Sequence, residues 1–385
     1  MLDQLYRDLP GLDAALKSNV FLQDSARLWH ALEQLLLANA PSGGAWLPGA
    51  IVDDIEALAA GLGLAGHFIP HLGRTGNAAI ALGADKAQAD LIVIAHMDRP
   101  SFRVRDVQTG EVYAMCAIRV PDQTYRAGAK ALRFSNGQIS ISARGTITVE
   151  NRGGANYIQF QAGQGALAWH DTIVMDTPPT LQEGVINGTG LDNCLGVITA
   201  LGAAAVLARV EEALISHKRR VLFVFSDLEE GIPEAYFGHG AARLAGMMPA
   251  PTYGVISVDA QTAGASGVPA VGQGACFGTV SAWSRGSFVA PNYIALGTDL
   301  AAELNTLEPG TVQLNTGYLS RSDDMPLGRW TQILGMIGPA MTAPHTTEEA
   351  ANLADVQHTI TWLTLYTAAA LALAPELNRQ YALER

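Results

Sequence analysis

The chain contains 385 residues, of which 49% are hydrophobic and only 16% are charged. This length and composition provide enough apolar material for a large core and favour more than one compact unit. The formal net charge is −12 at pH 7. We therefore expect neither nucleic acid nor a membrane as a partner, because both usually require a basic surface.

The N-terminal segment and the cysteines indicate a cytoplasmic protein. The segment MLDQLYRDLPGLDAAL mixes charged and apolar side chains and lacks the continuous apolar core of a signal peptide. Residues 196–208 are apolar but fall short of the roughly 20 residues that span a bilayer, so we interpret them as a buried helix. Cys116, Cys194 and Cys276 are not closely paired, which favours a reducing compartment over a disulfide framework.

Helices are predicted for about the first 65 residues. The segment 24–40 carries leucines at helical spacing behind an N-cap residue, either Asp24 or Ser25. The sequence PSGG at 41–44 ends this helix, and a second helix follows it. Two buried strands are predicted next, at 77–83 and 91–95.

The pattern changes between about residue 100 and residue 183. The segments GQISISARGTITVEN and NYIQFQAG alternate polar and apolar residues, which is the period of a half-exposed antiparallel sheet. We therefore predict a small β-rich domain at 101–183, inserted into a larger domain that is formed by residues 1–100 and 184–385.

Strands and helices alternate again after residue 184. The predicted elements are a helix near 193–209, a strand at 220–226, a helix from about 233, strands at 253–258 and near 333–338, and a terminal helix at about 348–373. Apolar strands that alternate with helices predict an α/β fold, in which a mostly parallel sheet is flanked by helices on both faces.

Side chains that commonly bind metals follow several of these strands and turns. They are His96 with Asp98, Asp192, the pair Glu229 and Glu230, Asp259, and His345. The carboxyl ends of strands in an open α/β sheet face the ligand crevice. Residues that are far apart in the sequence can therefore converge there.

These residue types are suited to a site with two metal ions. Zinc binds imidazole nitrogen and carboxylate oxygen, and two adjacent metals require a bridging carboxylate. The pair Glu229 and Glu230 offers one ligand and one free base. His96 and Asp98 lie on one side of a strand end, where the carboxylate can accept the second N–H of the histidine.

Each motif also has an ordinary structural interpretation. A His-x-Asp at a strand end can be structural, Asp192 can form a turn or cap a helix, and paired glutamates often lie on a solvated helix face. Asp259 could cap the next helix, and His345 could be a plain loop residue. It is the joint occurrence of the motifs, in this order, that favours a metal site.

The motifs resemble those of the co-catalytic zinc exopeptidases, and most of all those of the tetrahedral-aminopeptidase and glutamyl-aminopeptidase family, some members of which were labelled cellulase M. The resemblance extends over nearly the whole chain. The matching segments are PSGG (41–44), TGN (75–77), AHMD (95–98), GLDN (190–193), LEEG (228–231), VD (258–259) and PH (344–345).

The resemblance implies two divalent metal ions, zinc or alternatively cobalt or manganese. By this match His96 and Asp259 would bind one ion, whereas Glu230 and His345 would bind the other. Asp192 would bridge the two ions.

The resemblance further implies an aminopeptidase that removes N-terminal residues from peptides with a free N-terminus. Glu229 would be the general base and Asp98 would orient His96. The β-rich insert would help to assemble a homo-oligomer. Two other functions stay open: a metal-dependent deacylase or amidohydrolase of the aminoacylase type, and an inactive binding protein that retains the fold.

The chain departs from the family pattern beside these motifs, which marks it as a divergent member. The family usually has Glu-Ile-Gly after His-Met-Asp, where this chain has Arg99, Pro100 and Ser101. It usually has arginine after the bridging Asp-Asn, where this chain has Cys194.

Overall fold

A computed structural model describes residues 1–116, 125–152, 155–231, 238–264, 269–282, 286–317 and 321–380. The first part of the chain is helical, as predicted: α1 Leu2–Asp8, α2 Leu12–Lys17, α3 Val20–Gln23, α4 Ser25–Leu37 and α5 Ile51–Gly61. Helix α4 begins at Ser25 because the carboxylate of Asp24 accepts hydrogen bonds from the backbone N–H groups of Ala26 and Arg27, at 3.0 and 3.1 Å.

Three strands follow these helices, and the next six form a separate barrel. The first three are β1 Phe68–Ile69, β2 Ala78–Gly83 and β3 Leu91–His96. The barrel strands are β4 Ser101–Asp106, β5 Glu111–Ala114, β6 Tyr125–Ser135, β7 Gln138–Arg152, β8 Ala155–Gly165 and β9 Thr172–Met175. They pair in antiparallel fashion and close in the order β4-β5-β8-β7-β6-β9. Alternating apolar side chains such as Phe102, Ile147 and Phe160 fill the barrel.

The remaining elements belong to the larger domain. They are β10 Thr180–Gln182, β11 Val185–Gly188, α6 Leu191–Ala208, α7 Glu211–Ser216, β12 Arg220–Ser226, α8 His239–Met247, β13 Gly254–Val258, β14 Gln261–Thr262, β15 Ala275–Gly278, α9 Pro291–Leu307, β16 Val312–Asn315, α10 Asp324–Leu327, β17 Ile333–Thr342, β18 Glu349–Asn352 and α11 Leu353–Gln380. Strand β10 pairs with β11 in the large sheet although it falls inside the predicted insert, and the domain division itself stays a prediction.

The large sheet has a parallel centre and antiparallel edges. Its strand order is β1-β2-β12-β3-β13-β17-β18-β11-β10. Strands β12, β3, β13 and β17 are adjacent in this order, run parallel to one another and are almost wholly buried. The predicted α/β architecture with a small antiparallel β insert is thus confirmed.

Helix α6 is the buried helix that the apolar segment predicts. Among the described residues it is the one helix long and apolar enough to cross a membrane, with a mean hydropathy of 1.7, and 94% of it is buried. Such burial is what the core helix of a globular domain shows, because this helix packs between the sheet and α11.

The predicted terminal helix is wrong at its start. Residues 349–352 form strand β18, which pairs with both β11 and β17. Glutamate, alanine and asparagine have no preference for strands, so only the two neighbouring strands impose this conformation. The helix predicted from about residue 233 begins in a part of the chain outside the described residues, and α8 starts at His239.

The parallel strands at the centre of the sheet bring three segments with candidate site residues to the same end of the sheet. Ser226 pairs with His96, and Ser257 pairs with Ile94 two residues earlier in the neighbouring strand. The chain segments that leave β12 and β13, which carry the glutamate pair and Asp259, therefore emerge beside His96.

Asn77 fastens the loop that follows β12. Its side-chain N–H donates to the carbonyl of Gly240 at 3.0 Å, and its Oδ1 accepts from the N–H of Asp227 at 3.2 Å. We predict that Asn77→Ala lowers the free energy of unfolding by about 1–3 kcal/mol, because two buried backbone groups lose their partners. Urea denaturation measures this, with the exposed Asn187→Ala as the control. Equal stability of the two variants would contradict the role of Asn77.

Candidate metal centre

His96 ends strand β3 and faces carboxylates from three other segments. Its Nε2 atom lies 3.2 Å from Oδ1 of Asp192, 3.7 Å from Oδ1 of Asp259 and 3.9 Å from Oε2 of Glu229. The imidazole is 1% exposed. Asp192 lies at the start of α6, where the backbone is not helical, and this departure from the helix carries its side chain to the site.

His345 completes the other half of the cluster. Its Nε2 atom lies 3.2 Å from Oδ2 of Asp192 and 3.2 Å from Oε1 of Glu230. His345 and Leu228, which precedes the glutamate pair, both have φ near 60°. Residues other than glycine rarely adopt this left-handed conformation, and here it occurs in two of the loops that present the cluster.

Asp192 therefore presents one carboxylate oxygen to each histidine. Two ligand atoms bound to one tetrahedral zinc ion lie about 3.3 Å apart, because each bond is about 2.0–2.1 Å long. The 3.2 Å separations match this value on both sides of Asp192. The side chains of Asp192 and His345 are 13% and 19% exposed, so the cluster can be reached from solvent.

Asp98 holds the glutamate loop in place. Its two carboxylate oxygens accept hydrogen bonds from the backbone N–H groups of Glu229 and Glu230, at 3.1 and 3.2 Å. Nδ1 of His96 lies 3.1 Å from the backbone carbonyl oxygen of Asp98 and 3.6 Å from its carboxylate. The backbone of Asp98 is therefore the nearer group for orienting the imidazole.

The carboxylates determine the charge of both histidines. Burial alone would lower the pKa of His96, but the charges of Glu229, Asp192 and Asp259 hold that pKa well above its usual value. Burial would also lower the pKa of His345, but Glu230 and Asp192 outweigh this effect and hold that pKa well above its usual value.

Burial and crowding disfavour the charged form of several carboxyl groups in the site. Burial, reinforced by the nearby charge of Glu230, raises the pKa of Glu229 well above its usual value. Burial and the charge of Asp192 raise the pKa of Asp259 to about 6. Burial also raises the pKa of Asp323 to about 7, although a hydrogen bond from the hydroxyl of Ser226 opposes that shift. The site thus concentrates more negative charge than its histidines neutralise.

The arrangement fits divalent cations. Within the described residues, three buried oxygens of the cluster accept no hydrogen bond: Oδ1 of Asp192, Oε1 of Glu230 and Oδ1 of Asp259. Buried oxygens without partners are costly, and cations on the two sides of Asp192 would satisfy them. The ligand atoms form two groups, each within 4.8 Å, namely His96, Glu229 and Asp259, and Cys116, Glu230 and His345. All seven residues that the sequence predicts for the site lie in or against these groups.

Sequence reasoning missed two residues of the site, Cys116 and Glu349. Glu349 is 1% exposed, and its two oxygens accept hydrogen bonds from the N–H groups of His345 and Leu191, at 2.9 and 2.8 Å. It therefore ties the His345 loop to the segment of Asp192. The sequence shows that Glu349 lies four residues after His345, but only the pairing of strand β18 shows that its side chain points inward.

The two departures from the family pattern contact each other. The guanidinium of Arg99 donates to Sγ of Cys194 at 3.4 Å and to the carbonyl of Leu35. Gly190, with φ 82°, lies against this guanidinium, and a Cβ atom there would be 2.5 Å from Nε of Arg99. The segment of Asp192 is therefore packed on a buried arginine.

Comparison with solved structures identifies the fold. No protein-family model and no curated protein matches the sequence. The TET1 peptidase of Pyrococcus horikoshii is similar, with a TM-score of 0.66 and 16% identity over 88% of this chain and 98% of that chain. An aminopeptidase from the archaeon Desulfurococcus kamchatkensis gives a TM-score of 0.67 and 17% identity over 89% of this chain and 94% of that chain.

A structure described as an endoglucanase, from Thermotoga maritima, gives a TM-score of 0.59 and 17% identity over 89% of this chain and 98% of that chain. The chain thus has the fold of the TET aminopeptidases and of the peptidase/endoglucanase structures related to them. At the level of the fold, this confirms the resemblance that the sequence motifs indicate.

We predict that Glu349→Gln weakens metal binding by about 10–100-fold, because an amide can accept from only one of the two N–H groups and places a donor against the other. Isothermal titration with Zn²⁺ measures the affinity. The adjacent exposed Glu348→Gln is the matched control. Unchanged affinity in Glu349→Gln would show that this carboxylate does not position the ligands.

Proposed function

We propose that the protein is a dinuclear-metal aminopeptidase, which hydrolyses the N-terminal residue from peptides. The observation that carries this proposal is the position of Asp192, whose two oxygens each lie 3.2 Å from a different histidine. Such a carboxylate is suited to bridge two cations. His96 and Asp259 would hold one ion, and Glu230 and His345 the other.

Two divalent ions at these positions, zinc or alternatively cobalt or manganese, would acidify a water molecule and polarise the scissile carbonyl. Oε of Glu229 takes the proton from the attacking water and passes it to the nitrogen of the leaving amine. Oε2 of Glu229 lies 3.9 Å from Nε2 of His96, a little further than the oxygens of Asp192 and Asp259, and the proposal assigns it a place beside the ions. Asp98 fixes this base through the backbone of its loop.

The similar structures support a peptide with a free N-terminus as the substrate, since two of them are described as a peptidase and an aminopeptidase. The formal net charge of −12 agrees with a substrate that carries an ammonium group. A metal-dependent deacylase would use the same residues, and paired assays with aminopeptide and N-acyl amino acid substrates distinguish the two.

We also propose a cytoplasmic homo-oligomer. The Pyrococcus horikoshii peptidase can assemble into a tetrahedron or a large octahedral shell. In this chain the barrel exposes several large apolar side chains, Tyr113, Phe134, Tyr157 and Trp169 among them, each at 49% or more. Exposed apolar groups of this size are suited to contacts between copies of the chain.

We predict that Glu229→Gln lowers kcat by about 10²–10⁴-fold, because the amide cannot take the proton from water. Metal content should stay unchanged, since the proposal assigns metal coordination to other side chains and only the proton transfer to Glu229. Chromogenic aminopeptide assays and elemental analysis measure both quantities, with the exposed Glu212→Gln as the control. Normal turnover by Glu229→Gln would refute its role as the base.

We predict that Asp192→Asn releases metal from the purified protein, because an amide presents only one oxygen where two ions need one each. Elemental analysis of dialysed protein measures the loss, and the exposed Asp85→Asn should retain the wild-type content. Full occupancy in Asp192→Asn would contradict the bridging position.

A further inference from the structure

The barrel contributes one side chain to the candidate metal centre. Cys116 lies two residues beyond β5 and is 4% exposed. Its Sγ atom forms a group with a ligand atom of Glu230 and one of His345, in which all three atoms lie within 4.8 Å of one another. The other members of the centre come from the α/β domain, so this thiol approaches the site from a different part of the fold.

A second observation points from this thiol to a cation. Oε1 of Glu230 is buried, accepts no hydrogen bond within the described residues, and lies 3.2 Å from Nε2 of His345. A carboxylate, an imidazole and a thiol thus surround one point, and Oδ2 of Asp192 lies 3.2 Å from the same imidazole. Sulfur, nitrogen and oxygen donors of these types are those that zinc binds in a tetrahedral arrangement.

Cys116 differs in this respect from the other two cysteines. Cys276 is fully buried within strand β15 of the large sheet, and Cys194 is contacted by the guanidinium of Arg99. Within the described residues, Cys116 is the only cysteine that lies in a group able to hold a metal ion.

We propose that Cys116 is a thiolate ligand of the cation held by Glu230 and His345, and that it makes this position selective for zinc or cobalt over manganese. The inference rests on the metal pair proposed above. The thiol proton passes to bulk water as the bond between sulfur and the cation forms. A soft sulfur donor favours zinc and cobalt, whereas a site of oxygen donors suits manganese. The same bond would join the barrel to the α/β domain.

Cobalt substitution tests the proposal on the complete chain. We expect Co²⁺ titrated into metal-free protein to produce a near-ultraviolet charge-transfer band from thiolate to cobalt. The band should be absent from Cys116→Ser and present in Cys276→Ser, which removes a buried cysteine elsewhere in the fold. Competition titrations should show zinc affinity lowered at least about tenfold in Cys116→Ser, with a smaller loss for manganese.

Two cobalt ions bound without the band, or a band that persists in Cys116→Ser, would refute the thiolate ligand and leave the metal pair intact. Failure to bind cobalt at all would refute the proposed function together with this inference. Should Cys116→Ser not fold, the wild-type spectrum still decides, together with mass-spectrometric mapping of alkylated cysteines. Equal alkylation of Cys116 with and without bound metal would overturn the proposal, and protection by metal would support it.

Discussion

Asp192 shares its carboxylate between two histidines from different segments of the chain, and the rest of the centre depends on this contact. Around it lie further carboxylates that are almost fully buried, among them Glu229, Glu230 and Asp259. Negative charge at this density is unfavourable in a protein interior unless positive charge compensates for it. Two imidazoles do not suffice, and burial, together with the charges of neighbouring carboxylates, raises the pKa values of Glu229 and Asp259. Divalent cations would remove it and would satisfy the oxygens that lack hydrogen bonds.

The fold holds this unfavourable arrangement together with backbone hydrogen bonds. Asp98 accepts from the two N–H groups of the glutamate pair, and Glu349 accepts from the N–H groups of Leu191 and His345. Each of these carboxylates fastens the loops that carry ligands and does not itself belong to the ligand groups. The parallel strands at the centre of the sheet form the rigid support from which these loops extend.

The sequence predicted the parts of the structure in which local pattern and tertiary context agree. Buried strands such as β3 and β12 are continuous apolar runs, and each leads into a residue of the site. The sequence pattern therefore predicts that these site residues lie at the same end of the sheet. The prediction of a helix from about residue 348 was wrong at β18, where glutamate and alanine form a strand only because two neighbouring strands pair with them. Sequence reasoning also missed Cys116, because the closure of the barrel against the α/β domain brings that thiol to His345, and no local pattern encodes such a contact. Arg99 and Cys194 are separate departures from the family pattern in the sequence, and only the fold brings them into contact.

The central claim is that two cations flank Asp192. Anomalous diffraction from crystals grown with zinc, with data on both sides of the zinc absorption edge, tests it most directly. We expect two peaks, one between Asp192, His96 and Asp259 and the other between Asp192, Glu230 and His345. A single peak on one side of Asp192, or no peak within the cluster at full zinc saturation, would contradict it.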